Sequence, residues 1–140
     1  MDDWTRVTIL EELKTIIVET RGCREDEVVE TATLFGDLGL ESIDFLEISF
    51  RMEESFGFPY PTDELGWIFN ATEENGTTEG AREALRHLRE ELYMDVPDNL
   101  LGVEPFDPNA LDSAIRGLFT VGSLVTFVEH QLAEVKLHRT

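Results

Sequence analysis

Residues 37–44 read Asp-Leu-Gly-Leu-Glu-Ser-Ile-Asp, and they place Ser42 at the point where a loop passes into a helix. An apolar pattern of helical spacing follows the serine and stops at Gly57, so it predicts a helix from Ser42 to about Phe56. The predicted buried face consists of Phe45, Ile48, Met52 and Phe56. A serine at such a junction is most often an N-cap, so any other role for Ser42 has to be argued from the rest of the chain.

The opposite side of this predicted helix is not uniformly polar. Ile43 and Phe50 break the pattern, because they project towards the polar side beside Glu47 and Glu54, while Leu46 lies at the edge of the buried face. Apolar side chains within an acidic rim are typical of a surface on which a partner docks. The helix therefore has the pattern of an interaction element.

Helical patterns also account for much of the remaining chain. Thr8, three residues before Glu11, is expected to cap the first helix, which Gly22 ends, and Thr120 is expected to cap the last. Residues 34–39 contain two glycines among apolar residues and predict an ordered loop packed on the core. The predicted helices besides that at Ser42 are Thr8–Thr20, Thr62–Asn70, Thr78–Tyr93, Pro108–Arg116 and a last helix that buries Val121, Leu124, Val125, Val128 and Leu132. No strand pattern or repeat stands out, which indicates an all-α fold.

Charge narrows the classes of partner. The 140 residues include 30 Asp and Glu against 11 Lys and Arg, which gives a formal net charge of −19. Such a field repels phosphate backbones and anionic membranes and attracts proteins with basic patches. We therefore expect basic protein partners and no nucleic acid.

The single cysteine and the N-terminus indicate the compartment. Cys23 has no second thiol to pair with, so neither an internal disulfide nor a cysteine-rich metal site is expected. The start Met1-Asp2-Asp3 is acidic, unlike a signal peptide, and no apolar run approaches the roughly 20 residues that span a bilayer. We expect a cytoplasmic monomer without a membrane span.

Residues 37–44 resemble the phosphopantetheine attachment motif of acyl carrier proteins, usually Asp-Leu-Gly-x-Asp-Ser-Leu, with Glu41 where the family has Asp. The likeness extends beyond the motif: Thr8–Gly22 resembles the family's first helix, Glu47–Phe58 the rest of its second, and Phe119–Val125 the start of its last. The resemblance implies an all-α, acyl-carrier-like four-helix bundle with an additional helical insertion. We expect a single carrier domain over 1–140, with a core at about 5–65 and 108–135 and an insertion at about 66–107.

The resemblance also implies a function. Ser42 is expected to bear a covalent 4′-phosphopantetheine arm, donated from coenzyme A by a phosphopantetheinyl transferase that uses Mg²⁺. The arm carries acyl chains as thioesters between enzymes of fatty-acid, lipid or polyketide-type synthesis. Because a separate enzyme attaches the arm, the chain itself is no catalyst and needs no base beside the serine.

Acyl-transferring or acyl-modifying enzymes with basic docking patches are the other expected partners. The residues expected to recognise these partners are Glu41, Ile43, Asp44, Glu47, Phe50, Glu53 and Glu54. Two alternatives stay open: a peptidyl or amino-acyl carrier, and a helical protein-interaction module that is never modified.

Catalytic and metal-binding motifs fit poorly. A Gly-x-Ser-x-Gly elbow fails because Asp44 stands where the second glycine belongs. A calcium-binding EF-hand starting at Asp37 would need glycine and a carboxylate where the chain has Ser42 and Ile48. The histidines are scattered without ligand spacing, and we expect them on the surface: His87, His130 and His138.

The predicted insertion contains an arginine stripe, Arg82, Arg86 and Arg89, beside an apolar helix face. One interpretation is local pairing with acids of the same helix, among them Glu83 and Glu90. The other is that the insertion is a lid, which selects partners by aiming these arginines at the acidic second helix.

Overall fold

The structure is a computed structural model that describes residues 4–62, 78–94, 96 and 114–138. These residues form helices α1 (Arg6–Arg21), α2 (Ser42–Phe56), α3 (Thr78–Glu90) and α4 (Val121–His138), a 3₁₀ turn at Glu25–Glu27 and a helical segment at 114–118. In this described part the β structure is limited to one antiparallel bridge between Thr33 and Thr120. The all-α prediction is confirmed.

Two of the predicted helices lie partly outside the residues that the structure describes. Of the predicted helix Thr62–Asn70, residues 63–70 lie outside the described residues, as do residues 108–113 of the predicted helix Pro108–Arg116.

The chain divides into two compact units, one made of Met1–Tyr60 with Phe119–Thr140 and the other of Pro61–Leu118. The first unit contains α1, α2 and α4, and the second contains α3. The single carrier domain with an insertion at about 66–107 stays a prediction.

Helix α1 begins ahead of the predicted Thr8, because Thr5 is its N-cap. The Thr5 hydroxyl accepts a hydrogen bond from the Thr8 N–H at 3.2 Å, and the Thr8 hydroxyl accepts one from the Thr5 N–H at 2.8 Å. Two threonines three residues apart thus accept hydrogen bonds from each other's backbone N–H groups and form a capping box. The predicted stop is confirmed: Gly22 adopts φ 78° and its N–H donates to the Val18 carbonyl.

The core of the first unit lies between α1 and the two helices packed against it, α2 and α4. Each helix contributes its predicted apolar face, although Leu132 is only half-buried. Burying a large apolar side chain stabilises the fold by about 1.5–3 kcal/mol, so these faces supply most of the driving force. The buried core side chains are Ile9, Leu13, Ile16 and Ile17 from α1, Phe45, Ile48, Met52 and Phe56 from α2, and Val121, Leu124, Val125, Phe127 and Val128 from α4.

Helix α3 ends at Glu90, ahead of the predicted Tyr93. Beyond its end the backbone turns away, since Tyr93 has a left-handed φ of 56° and the Met94 N–H donates to the Leu88 carbonyl at 3.0 Å. Ala84, Leu88 and Leu92 are buried, as an amphipathic helix requires.

An arginine at the start of α1 ties three segments of the first unit together. The Arg6 guanidinium donates to Glu30, to Glu129 at 2.6 Å and to the Thr126 hydroxyl at 3.3 Å. The hydrogen bond that Arg6 donates to Glu30 is the main cause that raises the pKa of Arg6. The side chains of this cluster are substantially exposed, so it contributes modestly to stability.

The large net charge should make the melting temperature depend on salt. Raising ionic strength from about 0.01 M to about 0.15 M shortens the Debye length from about 30 Å to about 8 Å, which screens repulsion among the carboxylates. The same salt weakens ion pairs such as Arg6–Glu129, but exposed pairs contribute only about 0–1 kcal/mol each. We expect the melting temperature to rise by about 4 °C, equivalent to about 1 kcal/mol. Calorimetry that finds an unchanged or lower melting temperature would show that paired charges dominate.

Candidate functional site

The loop that leads to Ser42 is held in shape by hydrogen bonds between its own residues. The Asp37 carboxylate accepts from the Thr33 N–H at 2.9 Å, and the Thr33 hydroxyl accepts from the Asp37 N–H at 2.9 Å. Two further bonds close the turn, from the Leu38 N–H to the Thr33 carbonyl and from the Leu40 N–H to the Leu34 carbonyl. The first acid of the motif, Asp37, therefore has a structural role in shaping the loop.

The same loop is attached to the start of α4. The Leu34 N–H donates to the Phe119 carbonyl at 2.8 Å, and the Gly122 N–H donates to the Glu30 carbonyl at 2.9 Å. The fit at Gly122 is tight, since a Cβ there would lie 3.1 Å from that carbonyl oxygen. The entry to α2 is thus positioned by the entry to α4.

Aromatic rings complete this attachment. Phe35 stacks on Phe45 of α2 with ring centroids 5.2 Å apart, and it meets Phe119 edge-on at 5.9 Å. Leu34 and Leu38 are buried beneath the loop. The prediction of an ordered loop packed on the core is confirmed.

The glycine of the motif, Gly39, is required by its conformation. Its φ is 65°, and a Cβ there would lie 3.3 Å from the Arg21 guanidinium. Arg21 is held in place because its Nε donates to the Leu38 carbonyl at 3.2 Å. A side chain at position 39 would strain the backbone and crowd this arginine.

Helix α2 begins at Ser42, as predicted, but its N-cap is Glu41. The Glu41 N–H donates to the Asp44 carboxylate at 2.8 Å, which fixes the first turn and places a negative charge where the helix dipole favours it. The interpretation of Ser42 as merely the N-cap is wrong, because Ser42 is the first helical residue. The described part includes the backbone of Ser42 and not its side chain.

The exposed face of α2 carries an apolar stripe, which we define as Ile43, Leu46 and Phe50. Their side chains are 70%, 50% and 64% exposed. The sequence predicted Ile43 and Phe50, and it placed Leu46 at the edge of the buried face. The missed signal is spacing: Leu46 lies three residues after Ile43 and four before Phe50, which are the spacings of one helix face.

Acidic side chains accompany this stripe. Glu41, Glu47, Glu53 and Glu54 are exposed and Asp44 is half-buried. Glu47 differs from the others because Arg51 lies beside it, with its Nε 3.3 Å from the Glu47 carboxylate and its Nη1 2.6 Å from Glu19 of α1. A role for these residues in recognising partners stays a prediction.

No metal centre is evident in the part of the chain that the structure describes. No three His, Cys, Asp or Glu side chains within it lie close enough to hold an ion. His87 is half-buried and His130 is exposed, while the side chain of His138 lies outside the described residues. None of the described helices has the length and apolar character to cross a membrane.

Comparison with known proteins bears directly on this loop and helix. A family described as a phosphopantetheine attachment site matches residues 11–69. The acyl carrier protein of Zymomonas mobilis subsp. mobilis is 42% identical over 55 residues, which span 39% of this chain and 70% of that protein. The chain belongs to the acyl carrier protein family. No solved structure gave a match.

The attachment domain is the site at which acyl carrier proteins bear 4′-phosphopantetheine, and members of the family are carriers and not catalysts. The matched segment of this chain contains most of α1, the loop at 33–41 and the whole of α2. The local fold suits the group. The first-turn N–H groups of α2 have no acceptors within the helix, and they lie at its positive end, where a phosphate is favoured.

Proposed function

We propose that this acyl carrier protein is modified at Ser42 with 4′-phosphopantetheine and carries acyl chains as thioesters on that arm. The observation that carries the proposal is the position of Ser42 as first residue of α2 within the matched attachment domain. In the loading step the serine oxygen forms a bond to the phosphorus of the pantetheine phosphate. The pyrophosphate bond of coenzyme A breaks, adenosine 3′,5′-bisphosphate leaves, and the serine proton passes to a base of the transferase.

The chain's own residues prepare this position. Glu41 and Ile43, on either side of the serine, are exposed. The Glu41–Asp44 hydrogen bond and the packed loop hold the turn, so the transferase meets an ordered target and loses less entropy on binding. The N–H groups of the first turn, at the positive end of α2, then stabilise the attached phosphodiester.

The partners of the loaded carrier are a phosphopantetheinyl transferase and acyl-transferring or acyl-modifying enzymes with basic docking patches. The stripe supplies apolar contact and the surrounding carboxylates supply electrostatic steering. The carrier acts as a cytoplasmic monomer in fatty-acid, lipid or polyketide-type synthesis. Between visits the acyl chain is sheltered among the apolar faces of α1, α2 and α4.

The decisive experiment is mass spectrometry of the full chain after incubation with a broad-specificity transferase, coenzyme A and Mg²⁺. We expect a gain of one phosphopantetheine, which peptide mapping places on Ser42. An unmodified interaction module would gain nothing, and modification at another residue would overturn the site assignment.

Removing the largest side chain of the stripe should slow loading. Phe50 is 64% exposed, so Phe50→Ala should leave the melting temperature nearly unchanged, and an aromatic anchor at an interface typically contributes more than 1 kcal/mol. We expect the transferase kcat/KM to fall about ten-fold, chiefly through KM.

The matched control is Val7→Ala, since Val7 is 69% exposed on α1. This variant should load at the wild-type rate. A Phe50→Ala carrier that loads as fast as the control would show that the stripe is not the docking surface.

A further inference from the structure

The first unit contains a buried tyrosine whose hydroxyl has no hydrogen-bond partner among the described residues. This residue, Tyr60, is 1% exposed. Buried hydroxyls are nearly always paired in folded proteins, so this one calls for an explanation.

Contacts on two sides place Tyr60 in the interior. Its backbone carbonyl accepts a hydrogen bond from the buried Ser49 hydroxyl of α2 at 2.8 Å. Its ring lies 4.8 Å from the ring of Phe127 of α4, tilted by 58°. Tyr60 therefore lies in the space between α2 and α4.

The unpaired hydroxyl destabilises the folded state in this apolar environment. Leaving a buried donor unpaired destabilises a protein by about 1–3 kcal/mol, and phenylalanine would fill the same space without that loss. Phenylalanine is what the chain has at the neighbouring aromatic positions Phe56, Phe58 and Phe127. Burial also raises the pKa of Tyr60, so the group stays neutral and keeps its proton to donate.

We propose that the Tyr60 hydroxyl is a specificity determinant for the cargo, to which it donates a hydrogen bond at an oxygen along the sheltered acyl chain. The inference rests on the proposed function, because the arm on Ser42 brings the chain to the unit. Ser49, which fixes Tyr60, lies seven residues beyond Ser42, or about 10 Å along α2. A chain that enters at the start of α2 has to extend about this far to meet the Tyr60 hydroxyl. The cargo is therefore a hydroxylated or oxo acyl chain, because a fully saturated chain has no oxygen beyond its thioester to accept the hydrogen bond.

The test compares wild type with Tyr60→Phe, each loaded by a transferase from acyl-coenzyme A. The probes are octanoyl and a series of hydroxyoctanoyl chains whose hydroxyl moves stepwise from the β carbon to the chain end. The measurement is the rate of thioester cleavage by hydroxylamine, which falls when a chain is sheltered. For at least one hydroxyl position we expect Tyr60→Phe to speed cleavage about five-fold, the equivalent of about 1 kcal/mol. Octanoyl cleavage should be unchanged or slower.

Two controls keep the outcomes separate. Unloaded Tyr60→Phe should be at least as stable as wild type, and a marked loss of stability would show that the hydroxyl already has a partner, which overturns the inference. Phe56→Leu alters the same interior without touching the hydroxyl and should affect all chains alike. If wild type loads but Tyr60→Phe changes no chain selectively, the inference alone fails. If wild type gains no arm, the proposed function fails and the inference with it.

Discussion

Ser42→Ala should fold like the wild-type chain and accept no phosphopantetheine at all. The substitution removes the only atom through which the arm can be attached at this position, so the expected effect is complete loss. The fold should tolerate it, because the N-cap is Glu41 and alanine has the highest intrinsic helix propensity. Mass spectrometry of the loading reaction and a thermal melt of the same sample measure both parts.

The control is Ser55→Ala, at the other end of the same helix. Ser55 donates to Glu12 of α1, so this variant loses a hydrogen bond between helices but keeps Ser42. Its free energy of unfolding should fall by about 1 kcal/mol, so that it melts at a slightly lower temperature. It should still gain one arm. An arm on Ser42→Ala, or none on Ser55→Ala with its fold intact, would contradict the assignment.

The helices that the sequence predicted well are those with local signals at both ends. Helix α2 runs from Ser42 to Phe56 as predicted, since its apolar spacing is regular and Gly57 can adopt the left-handed conformation, here φ 93°, that ends it. The last helix begins after Thr120 as predicted, because the Thr120 hydroxyl accepts from the Ser123 N–H at 3.1 Å. Such features depend on neighbours in sequence and can be read from them.

Other features depend on choices between near-equal local alternatives or on tertiary packing. Thr5 and Thr8 both suit the start of α1, and only the structure shows that they act together. The spacing of Leu46 places it on the face of Ile43 and Phe50, but only the packing of other elements on α2 decides that this face stays exposed. That the Tyr60 hydroxyl has no hydrogen-bond partner among the described residues likewise cannot be inferred from the sequence, in which tyrosine is one more aromatic residue.

The arginine stripe shows the same limit for charges. Arg86 donates to Glu83 and, at 2.9 Å, to Glu90 on its own helix, and this pairing lowers the pKa of Glu83. Arg89 donates to the Val96 carbonyl at 2.7 Å. The two contacts of Arg86 therefore support the interpretation of local pairing, while the lid stays a hypothesis.

The largest loss of stability should come from Phe119→Ala. Phe119 is fully buried, its ring meets Phe35 edge-on, and its carbonyl accepts from the Leu34 N–H. Truncating a buried phenylalanine destabilises a domain by about 3–5 kcal/mol through lost burial and the cavity that remains. We expect a melting temperature lower by about 15 °C, measured by calorimetry at fixed salt.

The position of Phe119 should also connect stability with loading. Its ring supports Phe35, which stacks on Phe45 directly after the Ser42 turn, so a cavity here loosens the loop that presents the serine. Phe119→Leu, which keeps most of the volume, should destabilise by less than about 1.5 kcal/mol and load nearly normally. At a temperature where both variants are folded, Phe119→Ala should load more slowly than Phe119→Leu. Equal loading rates would show that the loop holds its shape without this ring, through the Thr33–Asp37 hydrogen bonds alone.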